Sequence, residues 1–249
     1  MPLLATVNCD MGEGYSLYKM GDDEALMKTI HLANVACGFH ASDFMIMDKT
    51  VLLAKENNVL VGAHPSLPDH QGFGRREMAI EPDELASCFI YQVGALSGFL
   101  HRHTMQMNHL KPHGAVYGQT ARSLDLARAV VGVAKTFNIA FMGLAGTYHQ
   151  TAAEEMGVKF IAEWFADMQY SPEGKLLITK KHDPVTLEEV DTRVKRMLSE
   201  GLVTTLGGTL PIGEGVTEVS ICVHSDTPGS VEIAQTVKRL VDESNAKGD

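Results

Sequence analysis

The sequence predicts a single α/β domain of seven parallel strands alternating with helices, and three observations carry that expectation. Short apolar runs alternate with longer amphipathic ones from end to end, the pattern of βα units wound around a parallel sheet. The 249 residues contain no linker-like interruption and match the usual length of one α/β barrel, so a single domain over residues 1–249 is expected. Most of the apolar runs lead directly into ionisable or polar residues, which delivers chemistry to one rim.

The seven expected strands cover residues 3–8, 31–36, 59–63, 106–111, 140–144, 159–164 and 218–223. Between them lie helix starts: Ser42 before a long apolar-periodic stretch, Pro82 near a first turn, Ser123, and Thr186 with Glu189 as a capping box. A last helix is expected from Thr227-Pro228, with Val231, Ala234, Val237, Leu240 and Val241 on one apolar face that closes the fold. The run Gly21-Asp-Asp-Glu24 reads as another helix start, because carboxylates favour the positive end of a helix and adjacent ones diverge too far to share a metal. The longest irregular stretches, 66–80 and 170–184, both follow strands and so belong to the face where barrels place their active sites.

Composition narrows the function classes. Hydrophobic residues make up 45% and charged residues 21%, the balance of an ordinary globular protein. A formal charge of −10 disfavours nucleic acid and anionic membranes as partners. Residues 1–12 lack the basic and apolar regions of a secretory signal, and no run approaches the ~20 apolar residues of a membrane span, so a cytoplasmic location is expected. Cys9, Cys37, Cys88 and Cys222 sit in apolar segments without C-x-x-C spacing, as buried free thiols do in a reducing compartment.

The residues at the strand ends are Asp10, His40, His64, Lys111 with His113, Glu163 with Asp167, and His224 with Asp226. Alternation along a strand puts Asn8 with Asp10, Lys111 with His113, and Cys222 with His224 and Asp226 on shared faces. A lone histidine of this kind is usually a hydrogen-bonded structural residue; four beside several carboxylates, each just past an apolar strand, point to an active site. In Gln71-Gly-Phe-Gly-Arg-Arg-Glu77 the glycines permit close backbone approach, and Arg75 and Arg76 are candidates to bind a substrate by clamping a carboxylate or a phosphate. Asp10-Met-Gly-Glu-Gly14 reads as a tight loop near a ligand, with Asn8 and Glu13 as candidate substrate contacts. Neither G-x-x-x-x-G-K-[ST] nor a strand-borne G-x-G-x-x-G is present, and H-E-x-x-H and G-x-S-x-G are absent too.

These segments together resemble the LamB/YcsF family over nearly the whole chain. The motifs that carry the resemblance are Asn8-Cys-Asp-Met-Gly-Glu13, Met20-Gly-Asp-Asp-Glu24, Ala33-Asn-Val-Ala-Cys-Gly-Phe-His40, Gly62-Ala-His-Pro65, Gln71-Gly-Phe-Gly-Arg-Arg76, Lys111-Pro-His-Gly-Ala115, Phe165-Ala-Asp167 and Cys222-Val-His-Ser-Asp-Thr-Pro-Gly229. The resemblance implies a seven-stranded TIM-like barrel of the glycoside hydrolase and deacetylase type. It also implies a role as the A-subunit of 5-oxoprolinase, working with subunits B and C to open 5-oxoproline to glutamate with ATP as cosubstrate of the complex. Three positions depart from the family's usual pattern: Ser225 replaces a glycine, Met168 replaces an arginine, and Ile178-Thr-Lys180 replaces a proline-arginine.

On this reading the catalytic candidates are Asp10, His40, His64, Lys111, His113, Asp167, His224 and Asp226. Asp10 or a rim histidine would direct water at an activated carbonyl, and Lys111 or His113 would protonate the leaving nitrogen. Two other readings compete. One is a metal-assisted amide or ester hydrolase with Asp10, His64 and His113 as ligands of a divalent ion. The other is a non-catalytic component that presents a ligand to a partner enzyme.

Overall fold

A computed structural model describes residues 3–177 and 184–248. The strands are β1 (Leu4–Met11), β2 (Leu32–Ala36), β3 (Leu60–His64), β4 (Met107–Leu110), β5 (Ala140–Leu144), β6 (Phe160–Phe165), β7 (Leu202–Thr205), β8 (Gly208–Pro211) and β9 (Glu218–Val223). Seven of them close a barrel in the order β1-β2-β3-β4-β5-β6-β9, with every pair parallel. The helices are α1 (Asp23–Leu26), α2 (Phe44–Glu56), α3 (Pro82–Arg102), α4 (Ala115–Arg122), α5 (Leu124–Thr136), α6 (Tyr148–Met156), α7 (Leu187–Glu200) and α8 (Ser230–Gly248).

All seven expected strands are present, most within two residues of the expected bounds. Strand β1 runs three residues further, because Asp10 and Met11 continue the ladder against Asn34 and Val35. Asp10 therefore sits on the strand and not beyond it. The antiparallel pair β7–β8 is additional to the expected strands, although Leu-Val-Thr-Thr before Gly207-Gly208 carries a hairpin signal.

Among the helix starts, the Thr186–Glu189 capping box forms as expected, Pro82 opens α3, and Asp22 caps α1. Two expectations are corrected. Asp43, not Ser42, caps α2, since its carboxylate reaches two backbone N–H groups while Ser42 turns at positive φ. Helix α8 begins at Ser230, because Thr227 spends its hydroxyl on Asp167. The departure at Ile178-Thr-Lys180, and residues 178–183 of the expected 170–184 loop, lie outside the described residues. Among the described residues no helix is long and apolar enough to cross a membrane.

Apolar side chains on the outer faces of the strands, such as Val7, Cys9, Val35, Val61 and Ile221, pack beneath the helices in the main core. Inside the barrel the order is different. Leu32, Ala140, Met142 and Ile161 form a small apolar plug. Above it the strands present Asn8, Asn34, His109 and Ser220, all fully buried and linked by hydrogen bonds. Gly62 makes this layer possible, because a Cβ there would overlap the His109 ring.

Gly62→Ala is therefore expected to destabilise the protein by about 1–3 kcal/mol through overpacking. Gly94, inside α3 with open space where its Cβ would stand, gives the contrast. Gly94→Ala should gain about 0.5–1 kcal/mol. Urea unfolding of both variants checks the pair; a neutral Gly62→Ala would show that His109 is not held against β3.

Candidate active site

The interior polar layer leads upward to a buried ion cluster. Lys111, at the end of β4 and 2% exposed, places Nζ 2.8 Å from Asp10 Oδ1 and 2.7 Å from Glu163 Oε1. Cys222 Sγ lies 3.3 Å away and Asn8 Oδ1 3.4 Å. Burial alone would lower the lysine's pKa, but Asp10, Cys222 and Glu163 around it hold it well above the ordinary lysine value. Burial likewise works against an ionised Asp10, yet the His64 ring and the Lys111 ammonium hold it well below the usual carboxylate range. Asn34 Nδ2 donates to Asp10 Oδ1 at 2.8 Å and ties this charge to the layer beneath.

Beside the ion cluster lies a nest of histidines. His64 Nδ1–H donates to the Lys111 carbonyl at 2.9 Å, and His113 Nε2–H donates to the Phe73 carbonyl at 2.9 Å. Their remaining ring nitrogens face each other at 3.0 Å. Asp10 Oδ2 is 3.3 Å from His64 Nε2, and Glu13 Oε1 is 3.4 Å from His113 Nδ1 and 3.1 Å from His40 Nε2. His40 stacks on His113 with centroids 3.7 Å apart. Burial, then Asp10 and Asp226, push the Glu13 carboxyl well up, while burial and neighbouring histidines push His40 and His113 well down.

Close packing of two loops fixes this nest. Gly74 and Gly114 both take positive φ, and the Gly74 carbonyl accepts from Ala115 N–H at 2.8 Å, an approach that a Cβ on Gly114 would block. The 66–80 loop is thus bound to the turn that carries His113. It brings Arg75 to the rim, 3.0 Å from Asp226 and over the Phe73 ring at 4.9 Å. Arg76 is separated from Arg75: it is mostly exposed and its guanidinium is tied to Asp69.

On the opposite wall, Asp167 accepts from His224 Nδ1–H at 3.0 Å, from the His224 backbone N–H and from Thr227 Oγ1–H, both at 2.9 Å. Burial would suppress the histidine's charge, but Asp167 raises its pKa; Asp167 in turn is lowered by His224 against its own burial. His224 stacks on Phe165.

These groups line a narrow cleft of about 40 Å³ with Asp10, His64, Arg75, Lys111, Phe165 and His224 among its walls. Met168 and Leu176 supply its apolar side, and Tyr117 and Leu176 also border a larger neighbouring cavity of about 730 Å³. The expected residues Asn8, Asp10, Glu13, His40, His64, Lys111, His113, Asp167, His224 and Asp226 thus gather at one mouth, joined by Arg75 but not by Arg76. Of the expected metal trio, His64 and His113 meet directly and Asp10 touches His64; Glu13 is the added neighbour. The cysteines are free thiols, with Cys88 half-buried and the rest buried. Glu163 takes a more central place than its rim position indicates, and Asn34, His109, Ser220 and Tyr117 join the site beyond the expected set. The first three share strand faces with Leu32, Lys111 and Cys222, so extending the period-two pattern from the rim residues reaches His109 and Ser220.

A model of the LamB/YcsF family matches residues 5–248, and the chain belongs to that family. It is 47% identical over 247 residues to the lactam utilization protein lamB of Emericella nidulans, covering 98% of this chain and 96% of that one. It is 42% identical over 245 residues to the A-subunit of 5-oxoprolinase from Pyrococcus furiosus, covering 97% and 95%. The crystal structure of the lactam utilization protein from Thermus thermophilus superposes with a TM-score of 0.87 at 34% identity, covering 98% of both chains.

The Asp167–His224 pair gives a pH test. Asp167 contributes stability that is lost as pH falls through its depressed pKa; His224 contributes stability that is lost as pH rises through its raised one. Asp167→Asn should cost about 1–3 kcal/mol between about pH 4 and pH 6.5, with the difference from wild type shrinking on both sides. Urea unfolding across pH measures this, and a difference that stays constant from about pH 3 to pH 9 would contradict it.

Proposed function

We propose that this member of the LamB/YcsF family is the A-subunit of an ATP-dependent 5-oxoprolinase, which hydrolyses 5-oxo-L-proline to L-glutamate as ATP becomes ADP and phosphate. The observation that carries the reading is the buried Lys111 held between Asp10 and Glu163 at the barrel mouth, in a chain so similar to proteins of that name. The designation of those relatives as A-subunits supports companion proteins, which we take to be subunits B and C. ATP enters as cosubstrate of the complex, since this sequence has no standard phosphate loop. Free thiols and the absence of a long apolar helix among the described residues fit the expected cytoplasmic location.

A lactam is a resonance-stabilised amide, so its carbonyl needs activation before water adds. Transfer of the γ-phosphoryl group to the lactam oxygen, with ADP leaving, provides it. Water then adds to the ring carbon, the C–N bond breaks with a proton going to nitrogen, and a second water releases phosphate from the resulting acyl phosphate. One ATP and two waters balance glutamate, ADP and phosphate.

The residues divide this work by their charge states. Asp10, held ionised beside His64, takes the proton of the attacking water. Lys111 acts by its fixed charge on the oxygen where negative charge builds, because an ammonium held this high releases its proton poorly. His113 keeps its only N–H on the Phe73 carbonyl. That leaves His224, raised by Asp167 and lining the cleft, as the donor to the leaving nitrogen, in place of the Lys111 or His113 expected from sequence. Arg75 at the rim is the group to receive the substrate carboxylate.

With partner subunits present, Asp10→Asn is expected to reduce ATP-dependent glutamate release at least about a thousandfold while a thermal melt still shows a cooperative fold. Wild-type turnover in the folded variant, or glutamate release that needs no ATP, would remove this mechanism. At Arg75, Lys preserves charge but loses the planar fork, so the KM for 5-oxoproline should rise about tenfold or more. Arg76→Ala should leave KM within about twofold, because Arg76 is mostly exposed and turned to Asp69, away from the cleft that Arg75 lines. An unchanged KM in the folded Arg75→Lys variant would show that Arg75 does not clamp the carboxylate through its planar fork.

A further inference from the structure

The facing nitrogens of His64 and His113 pose a bonding problem that the lactam reading does not resolve. Each ring has its one neutral N–H committed to a backbone carbonyl: His64 Nδ1 to Lys111 and His113 Nε2 to Phe73. On neutral rings each remaining nitrogen carries a lone pair, and the two lone pairs point at one another across 3.0 Å. Glu13 Oε1, an acceptor once its carboxyl is ionised, stands 3.4 Å from His113 Nδ1, and Asp10 Oδ2, a fourth, stands 3.3 Å from His64 Nε2. Acceptors converging on one point in a buried site repel unless a cation, either a shared proton or a metal ion, lies between them.

From this geometry we infer that Glu13, His64 and His113 form a binding site for one divalent transition ion, zinc or a similar borderline metal. Around an ion with ligand bonds of about 2.0–2.1 Å, neighbouring donors of a tetrahedron stand about 3.3–3.4 Å apart. The separations of 3.0 and 3.4 Å on either side of His113 Nδ1 are close to those edges. All four ligand-type groups of the nest, Glu13, His40, His64 and His113, are buried and offer atoms within 4.8 Å of one another.

The surroundings are those of a metal site. Each histidine is oriented by a hydrogen bond from its far nitrogen to a main-chain carbonyl, which fixes the tautomer that exposes the coordinating lone pair. His40, stacked parallel on His113, cannot aim its ring plane at the same ion; its Nε2 instead bonds and positions Glu13. Asp10 is committed through Oδ1 to Lys111 and Asn34, which leaves only Oδ2 toward the nest. The ligand set thus differs from the one expected from sequence: Glu13 takes the place given to Asp10, and Asp10 stays available as a base beside the ion. Two histidines and one carboxylate leave a coordination position open for water or a substrate oxygen.

The inference concerns the same mouth as the lactam reading but does not require it, so metal binding is measured apart from turnover. Full-length protein purified without chelator is analysed for metal, stripped by dialysis against chelator, and titrated with zinc, and with cobalt for its visible absorption. The expected result is about one zinc per chain and a tetrahedral-type cobalt spectrum. The melting temperature should rise on metal addition. His64→Asn and His113→Asn should each weaken zinc binding at least about a hundredfold, and Glu13→Gln about tenfold or more. His149→Asn, which alters a buried histidine bonded to Thr120 elsewhere in the fold, should retain wild-type affinity and controls for general destabilisation. A stripped wild type that takes up no zinc or cobalt at micromolar concentration, or variants that bind as wild type does, would overturn the site and point to a proton shared between His64 and His113. Loss of lactam turnover in a zinc-loaded wild type would count against the oxoprolinase reading alone.

Discussion

The barrel mouth is organised around one positive charge that is almost wholly shielded from water. Lys111 Nζ touches Asp10 and Glu163, and the effective cost of burying each of those ions is several kcal/mol. Only the mutual attraction of the three, supplemented by hydrogen bonds from neighbours, offsets it. That requirement explains the layer below. Asn34 must hold Asp10, Asn8 and His109 must hold Asn34, and Ser220 must hold Asn8, which takes polar side chains from β1, β2, β4 and β9. The absence of a Cβ at Gly62, which gives His109 its space, belongs to the same requirement.

Charge states across the mouth follow from that centre. Asp10 is kept ionised by its neighbours, while Glu13, a few ångströms further along the histidine nest and without such a cation in direct contact, is pushed toward the neutral acid. His224 is shifted toward its charged form by Asp167, and His113 toward its neutral form by burial. Groups of like chemical type thus acquire opposite roles according to what surrounds them, the condition for acid and base steps to coexist at one pH. The same contrast separates the two proposals: water activation and proton delivery rest on Asp10, Lys111 and His224, whereas the metal rests on the lone pairs of His64 and His113.

Much of the fold is legible in the sequence because a buried parallel strand is a largely apolar run, and most of the seven barrel strands announce themselves that way, with Met107–Leu110 the most polar of them. The hairpin β7–β8 is less so, because Leu202–Thr205 and Gly208–Pro211 are only four residues each and the second is largely exposed, so the Gly207-Gly208 turn is its main signal. Asp10, His64, Lys111, His113 and His224 are legible as polar residues that end apolar strands. Their charge states are not, since these depend on contacts between strands far apart in sequence, such as Asp10 with Lys111. Arg75 and Arg76 show the limit most clearly: adjacent in sequence and alike in chemistry, they are assigned to different neighbours, Asp226 and Asp69, by the turn at Gly72 and Gly74.

The dependence of function on the buried cation is most directly measured by glutamate release from 5-oxoproline in a complex that carries Lys111→Met, compared with wild type at equal folded concentration. Methionine retains much of the length and apolar stem of lysine but none of its charge. The expected result is a fall in kcat of at least about a thousandfold, as for loss of a preorganised charge at an oxyanion, with the barrel still folded. Turnover within about tenfold of wild type would contradict the role assigned to Lys111, and with it the reading of this mouth as the place where the lactam opens.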